Sequence, residues 1–162
     1  MKFKLLLALP LLAFCLALEA CIGPVPVDVV MDGGDIYFVL EDAYRVSAIR
    51  VMALAGGRGQ PPLWDLRHDA GTPLKTRKYP TLKVIKYGAK LEEFPVVTGP
   101  AELARDVEYV VAIDLGDRFA KENFVITGDN KVVMPRPAFQ RQRGRVYTAA
   151  TDKDGNKTFA LK

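Results

Sequence analysis

The side chains that usually do chemistry are scarce in this chain, and the scarcity limits what they can do. His68 is the single histidine, Ser47 the single serine, and Cys15 and Cys21 are the two cysteines. A catalytic or zinc-binding role for His68 would need further ligands or a nucleophile from elsewhere, and only Asp and Glu are left to supply them. In Trp64-Asp65-Leu66-Arg67-His68-Asp69 the histidine reads as a strand end whose polar groups meet solvent. Ser47 lies in an apolar-rich stretch, so no Ser-His-Asp or Cys-His relay is expected.

Three further segments invite a chemical reading. Asp152-Lys153-Asp154-Gly155-Asn156-Lys157-Thr158 starts like an oxygen-rich calcium loop, but its glycine stands fourth where the EF-hand needs it sixth. Asp, Gly and Asn are also turn residues, so a hairpin turn is the better reading. Gly56-Gly57-Arg58-Gly59 lacks the Lys-Ser/Thr of a phosphate loop and reads as a flexible connection. Arg136, Arg141, Arg143 and Arg145 form a dense cationic stretch beside Pro135 and Pro137. That stretch is expected to be an exposed loop, and it is the candidate contact for an anionic partner. No catalytic residue, metal ligand or cofactor is expected, and the chain is read as not an enzyme.

The elements that would carry these residues belong to one ordinary globular domain. The chain has 162 residues, of which 49% are hydrophobic and 26% charged, with 13 Gly and 11 Pro, outside the disordered and collagen-like ranges. A formal net charge of +4 is far below a nucleic-acid footprint, and no aromatic-basic interleaving of the RNA-binding kind is present. A nucleic-acid partner is therefore not expected.

The N-terminus reads as an address. Met1-Lys2-Phe3-Lys4 supplies two cations, and residues 5–18 carry no charge. A membrane-spanning helix needs about 20 apolar residues, so this run is too short; its cationic start and small-residue end match an export signal over residues 1–20. The segment closes on Leu18-Glu19-Ala20-Cys21, which resembles the lipobox of bacterial lipoproteins, with Leu at −3, a small residue at −1 and Cys at +1. The resemblance implies cleavage before Cys21 and lipidation of its sulfur by diacylglycerol, with a further acyl chain such as palmitate on the new amino group. Several acyl chains hold a protein on a membrane where one binds only marginally. Cys15 would leave with the signal, making Cys21 the one remaining thiol, a liability in an oxidising compartment unless modified. Ile22 rather than Asp after the cysteine implies sorting to the outer membrane, with the domain facing the periplasm of the cell envelope. Losing Lys2, Lys4 and Glu19 takes the formal charge from +4 to +3.

Gly23-Pro24-Val25-Pro26 disfavours helix, so residues 21–34 read as a lipid-anchored stalk ending in the turn Asp32-Gly33-Gly34-Asp35, with residues 25–30 able to form a strand. From 35 to 162 the pattern is that of strands. Ile36, Phe38 and Leu40 alternate with Tyr37, Val39 and Glu41; residues 46–52, 63–66, 82–87 and 107–115 follow between Gly and Pro clusters. The run 107–114 puts Val107, Tyr109, Val111 and Ile113 on one face and is expected to be central. Two C-terminal hairpins are expected, residues 124–134 and 146–160, and short helical turns at 100–105 and 117–122. Trp64, Tyr87, Phe94, Tyr109 and Phe124 are spread through separate strands as a shared core would need.

Leu103 and Tyr109, followed by Val111 and Ile113, resemble the tyrosine-corner strand of fibronectin type III domains, with Trp64 as the core tryptophan and Ile85-x-Tyr87 on an intervening strand. The resemblance covers residues 45–134. It implies an all-β, immunoglobulin/fibronectin type III-like β-sandwich, here with an extra C-terminal hairpin, and a Tyr109 hydroxyl bonded to backbone just upstream. The function expected is that of a membrane-anchored, non-enzymatic binding or scaffolding module, with an envelope protein or cell-wall polymer as partner. The alternatives are an accessory lipoprotein of a secretion or pilus machine, and a cell-wall hydrolase or hydrolase inhibitor.

Overall fold

The computed structural model describes residues 23–55, 60–135 and 146–161. Cys21, the Gly56–59 connection, and Arg136, Arg141, Arg143 and Arg145 lie outside the described residues.

Among the described residues eleven strands run in chain order: β1 (Val27–Asp32), β2 (Asp35–Arg45), β3 (Ala48–Ala53), β4 (Trp64–Arg67), β5 (Thr81–Lys86), β6 (Val96–Thr98), β7 (Glu108–Asp114), β8 (Phe119–Ile126), β9 (Val132–Val133), β10 (Tyr147–Thr151) and β11 (Lys157–Leu161). A 3-10 turn, Leu74–Thr76, lies between β4 and β5. The sheets are ordered β1-β2-β5, β6-β4-β3-β7-β8-β9 and β10-β11, with antiparallel pairing throughout. Three strands facing a longer sheet, with the chain crossing between them after β2, β4 and β5, make an all-β sandwich. β6 and β9 extend the second sheet, and the C-terminal hairpin is the added piece.

The alternation of apolar residues explains which faces meet. Ile36, Phe38 and Leu40 of β2, Val27 and Val29 of β1 and Ile85 of β5 point into one core with Ile49, Val51, Trp64, Leu66, Tyr109, Val111, Ile113, Ala120 and Phe124 of the opposite sheet. Phe38 stacks on Trp64 at 6.4 Å between ring centroids and meets Phe124 edge-on at 5.9 Å, so these rings tie the two sheets together. β7 lies between β3 and β8, the interior position its pattern predicts.

Three expectations are corrected. The stalk does not extend over residues 21–34: Val25 is already buried, its N–H donates to the Phe119 carbonyl at 2.8 Å, and β1 pairs with β2 from Val27↔Leu40 to Asp32↔Asp35. The Pro residues exclude helix there but not an edge strand, and the Val25-x-Val27-x-Val29 alternation supplies one apolar face. Residues 117–122 form no helix. They make the tight β7–β8 turn and the start of β8, where Ala120, Glu122 and Phe124 share the buried face. Residues 100–105 form a strap without regular structure, tied by Ala101 N–H to the Leu63 carbonyl at 2.8 Å and by Asp106 N–H to the Ile126 carbonyl at 2.7 Å.

Two tyrosines hold the same strap. The Tyr109 hydroxyl donates to the Ala104 carbonyl at 3.1 Å, the upstream bond that the tyrosine-corner resemblance implies, and Tyr87 donates to the Ala101 carbonyl at 2.6 Å. Leu103 packs against the core between them. The strap begins at Gly99, whose φ is +78° and where a Cβ would stand 2.0 Å from the Leu63 carbonyl oxygen. Both constraints require glycine.

The C-terminal hairpin is a third layer. Tyr37 and Val39, the face of β2 turned away from the main core, are buried with Phe159 of β11, and the Tyr37 and Phe159 rings are 5.1 Å apart. The Tyr147 hydroxyl hydrogen-bonds the buried Asp28 carboxylate, and Lys157 pairs with Asp32 at 2.8 Å.

Gly99→Ala is expected to lower unfolding stability by about 3 kcal/mol, combining a disfavoured backbone conformation with a backbone collision. Gly71→Ala, at a position without positive φ and with its nearest neighbour atom at 3.5 Å, should change it by less than about 0.5 kcal/mol. Urea denaturation of the two variants checks the difference.

Candidate functional site

Strand register brings residues far apart in the sequence to one end of the sandwich. Ala48 of β3 pairs with Arg67 of β4 on one side and Asp114 of β7 on the other, while Arg45 at the end of β2 pairs with Thr81 of β5. The loops leaving these strand ends close a cleft of about 650 Å³ lined by Arg45, Ser47, Arg67, His68, Arg77 and Tyr79, with the Asp114–117 turn as its far wall.

Each cation is held by a different device. The Arg45 guanidinium lies 4.8 Å from the Tyr79 ring centroid, a cation–π contact. Arg67 Nε is 3.2 Å from Asp65 Oδ2, a carboxylate that Arg50 approaches at 3.6 Å from the neighbouring strand. Asp65 is buried, and the two flanking guanidiniums offset the cost of keeping its charge there. Arg77 donates from Nε to the Thr72 carbonyl at 2.8 Å and from its terminal nitrogen to Asp69 and Ala70 carbonyls at 3.3 and 3.4 Å, so its fork braces the loop. Arg45 and Arg67 thus present charge to the cleft, and Arg77 shapes its rim.

His68 is not a solvent-facing strand end. It is half-buried between Tyr79 and Phe94, edge-on to both at 5.1 and 5.5 Å, and its Nε2 is 2.6 Å from the Lys78 carbonyl. A carbonyl only accepts, so Nε2 carries the proton and donates. Ser47 borders the same cleft, but its hydroxyl donates to the Asp114 carbonyl at 3.1 Å, and no hydrogen bond joins it to His68. The Asp114 carboxylate accepts the Gly116 N–H at 2.8 Å. Guanidiniums beside an aromatic ring suit a carboxylate- or phosphate-bearing group.

The other residues singled out in the sequence fall elsewhere. Trp64 is fully buried in the core. Asp152 is consumed by its own turn: its carboxylate accepts N–H groups of Asp154 and Asn156 at 2.9 and 2.8 Å and the Asn156 side-chain amide at 3.2 Å, which hold its pKa below the ordinary carboxylate value. Sequence reasoning missed the convergence of Arg45, Arg67 and Arg77, although a signal was present: residues 67–90 hold seven Lys and Arg against the single Asp69.

At the opposite end a second cleft of about 590 Å³ lies between the β1–β2 turn and the strap, lined in part by Tyr87, Leu103 and Arg105. Burial there, with a smaller contribution from the charge of Tyr109, pushes the Tyr87 hydroxyl up to about 12.

Comparison with known proteins gives no match: no family model fits the chain, and no curated protein and no solved structure matches it. The fold defines its class, an all-β sandwich with an arginine-lined cleft at one end.

An unfolded tyrosine ionises near pH 10, whereas Tyr87 in the fold holds its proton to about pH 12. Between these values the unfolded chain has released a proton that the folded one retains, so stability is lost as pH rises through that window. The urea midpoint is expected to fall steadily from pH 10 to pH 12, and the fall should be smaller in Tyr87→Phe.

Proposed function

We propose that the chain is an exported bacterial lipoprotein, held at the cell envelope through acylated Cys21, whose sandwich is a non-enzymatic binding or scaffolding module for an anionic envelope component. The observation that carries the reading is the lipobox-like Leu18-Glu19-Ala20-Cys21, which ends four residues before Val25, the first buried residue among those described. Four extended residues span at most about 14 Å, so an acylated Cys21 would hold the domain against the membrane surface rather than on a long stalk.

Confinement of that kind raises the effective concentration of the domain toward other envelope components, so modest contacts suffice. The cleft of Arg45, Arg67 and His68 favours a partner bearing carboxylate or phosphate groups, such as a cell-wall polymer. Arg136, Arg141, Arg143 and Arg145 would add to the same preference.

Mass spectrometry of the processed protein should find an N-terminus at Cys21 carrying acyl groups. Cys21→Ser should abolish that modification and the processing coupled to it, and should move the protein out of the membrane fraction. An unmodified N-terminus, or unchanged membrane fractionation of the variant, would overturn the reading. Crosslinking in intact cells, with Arg45→Glu and Arg67→Glu as controls that lose the product, identifies the partner.

A further inference from the structure

The end of the sandwich where the chain comes in is also the end that carries the arginine cleft. Val25 lies against Phe119 at the start of β8, β8 starts opposite Asp114, and Asp114 pairs with Ala48, whose other partner is Arg67. The loop that leaves Arg67 returns at Thr81, opposite Arg45. It stands out from the domain, with residues 73–76 and Lys78 all exposed.

At its tip the Leu74–Thr76 turn presents Leu74 with 74% of its surface exposed, the highest value among the large apolar side chains described. Lys75, Arg77 and Lys78 follow it within four residues, with no acid between. The tip is braced. Arg77 holds three loop carbonyls, the Thr76 hydroxyl donates to the Pro73 carbonyl at 2.8 Å, and His68 holds the Lys78 carbonyl. An apolar side chain fixed outward in water gains nothing for the fold, and one ringed by cations is suited to the boundary between acyl chains and anionic headgroups. Phe119, 54% exposed, adds a second apolar side chain at the same end. Glu41, Asp42, Asp69, Asp114 and Asp117 also lie toward this end. Asp117 is offset by Arg118 at 4.0 Å.

We propose that residues 73–78 are a membrane-docking tip that takes an anionic phospholipid surface, with Leu74 entering the interface and Lys75 and Lys78 meeting headgroup phosphates. The inference rests on the lipoprotein reading only for which membrane is near: an anchor at Cys21 would hold this same end within reach of the bilayer. The tip would then fix the orientation of the tethered domain.

The test uses the chain from residue 21 carrying Cys21→Ser and no acyl group, since every described contact lies within residues 23–161. Co-sedimentation is measured with vesicles of phosphatidylglycerol and phosphatidylethanolamine, and with phosphatidylcholine vesicles. Binding to the anionic vesicles should be at least about tenfold stronger and should weaken with added salt. Leu74→Ser should reduce it about tenfold, and Lys75→Gln and Lys78→Gln about fivefold each, with thermal unfolding unchanged because all three side chains are exposed. Equal binding to both vesicle types, or binding indifferent to Leu74→Ser, overturns the proposal. So does equally strong, Leu74-independent binding to a soluble polyphosphate, which would mark a general anion site. The acyl group plays no part in this measurement, so its failure is separate from a failure to find acylated Cys21 in cells.

Discussion

β2 has to be covered on both faces, and the architecture follows from that requirement. Ile36, Phe38 and Leu40 on one side and Tyr37 and Val39 on the other are all buried. Burying such a side chain fully is worth about 1.5–3 kcal/mol, so leaving either face in water would forfeit a large part of a small domain's stability. One face is met by the long sheet through Trp64 and Phe124, the other by Phe159 and Tyr147 of the C-terminal hairpin. The hairpin therefore completes the core of the three-stranded sheet rather than decorating its surface. Its attachment is partly polar, through Tyr147 on Asp28 and Lys157 on Asp32, which fixes where it sits as well as that it sits.

The strap over residues 99–106 shows how a segment without regular structure can be specified. Its composition allows a helical turn, yet a helix there would forgo the two tyrosine hydroxyls and the Leu63 and Ile126 partners that its backbone finds when extended. Buried or half-buried backbone groups need partners, and four partners in or beside β4, β5, β7 and β8 outweigh the few bonds of a single isolated turn. Gly99 makes the strap's start feasible by letting the chain pass against Leu63. The Tyr109 hydroxyl bond to the Ala104 carbonyl joins near neighbours in the chain and closes the strap onto β7.

Cations concentrate at one end of the sandwich, where strand register gathers them. Arg45, Arg67 and Arg77 come from β2, from β4 and from the loop after it, and the pairing of Ala48 with both Arg67 and Asp114, together with that of Arg45 with Thr81, brings these strand ends to one cleft. The devices that hold them differ in consequence. A guanidinium lying on a ring or beside one carboxylate retains donors for a ligand, whereas Arg77 has spent its fork on loop carbonyls. The same bracing keeps the neighbouring apolar tip outward, so the cleft and tip form one organised end.

Alternation of apolar residues and the Gly- and Asn-containing turns by themselves determined the all-β class, the interior position of β7 and both C-terminal hairpins, because a period of two and a tight turn are local properties. The tertiary structure alone decided that Val25, Val27 and Val29 are buried in the core rather than carried on a stalk and that residues 117–122 are a turn and strand carrying the buried Glu122. It also decided that His68 sits between two aromatic rings and that three arginines share a cleft. Each of these depends on which distant strand lies alongside, and pairing between residues tens of positions apart is chosen by the sum of buried contacts, which no local window of sequence contains.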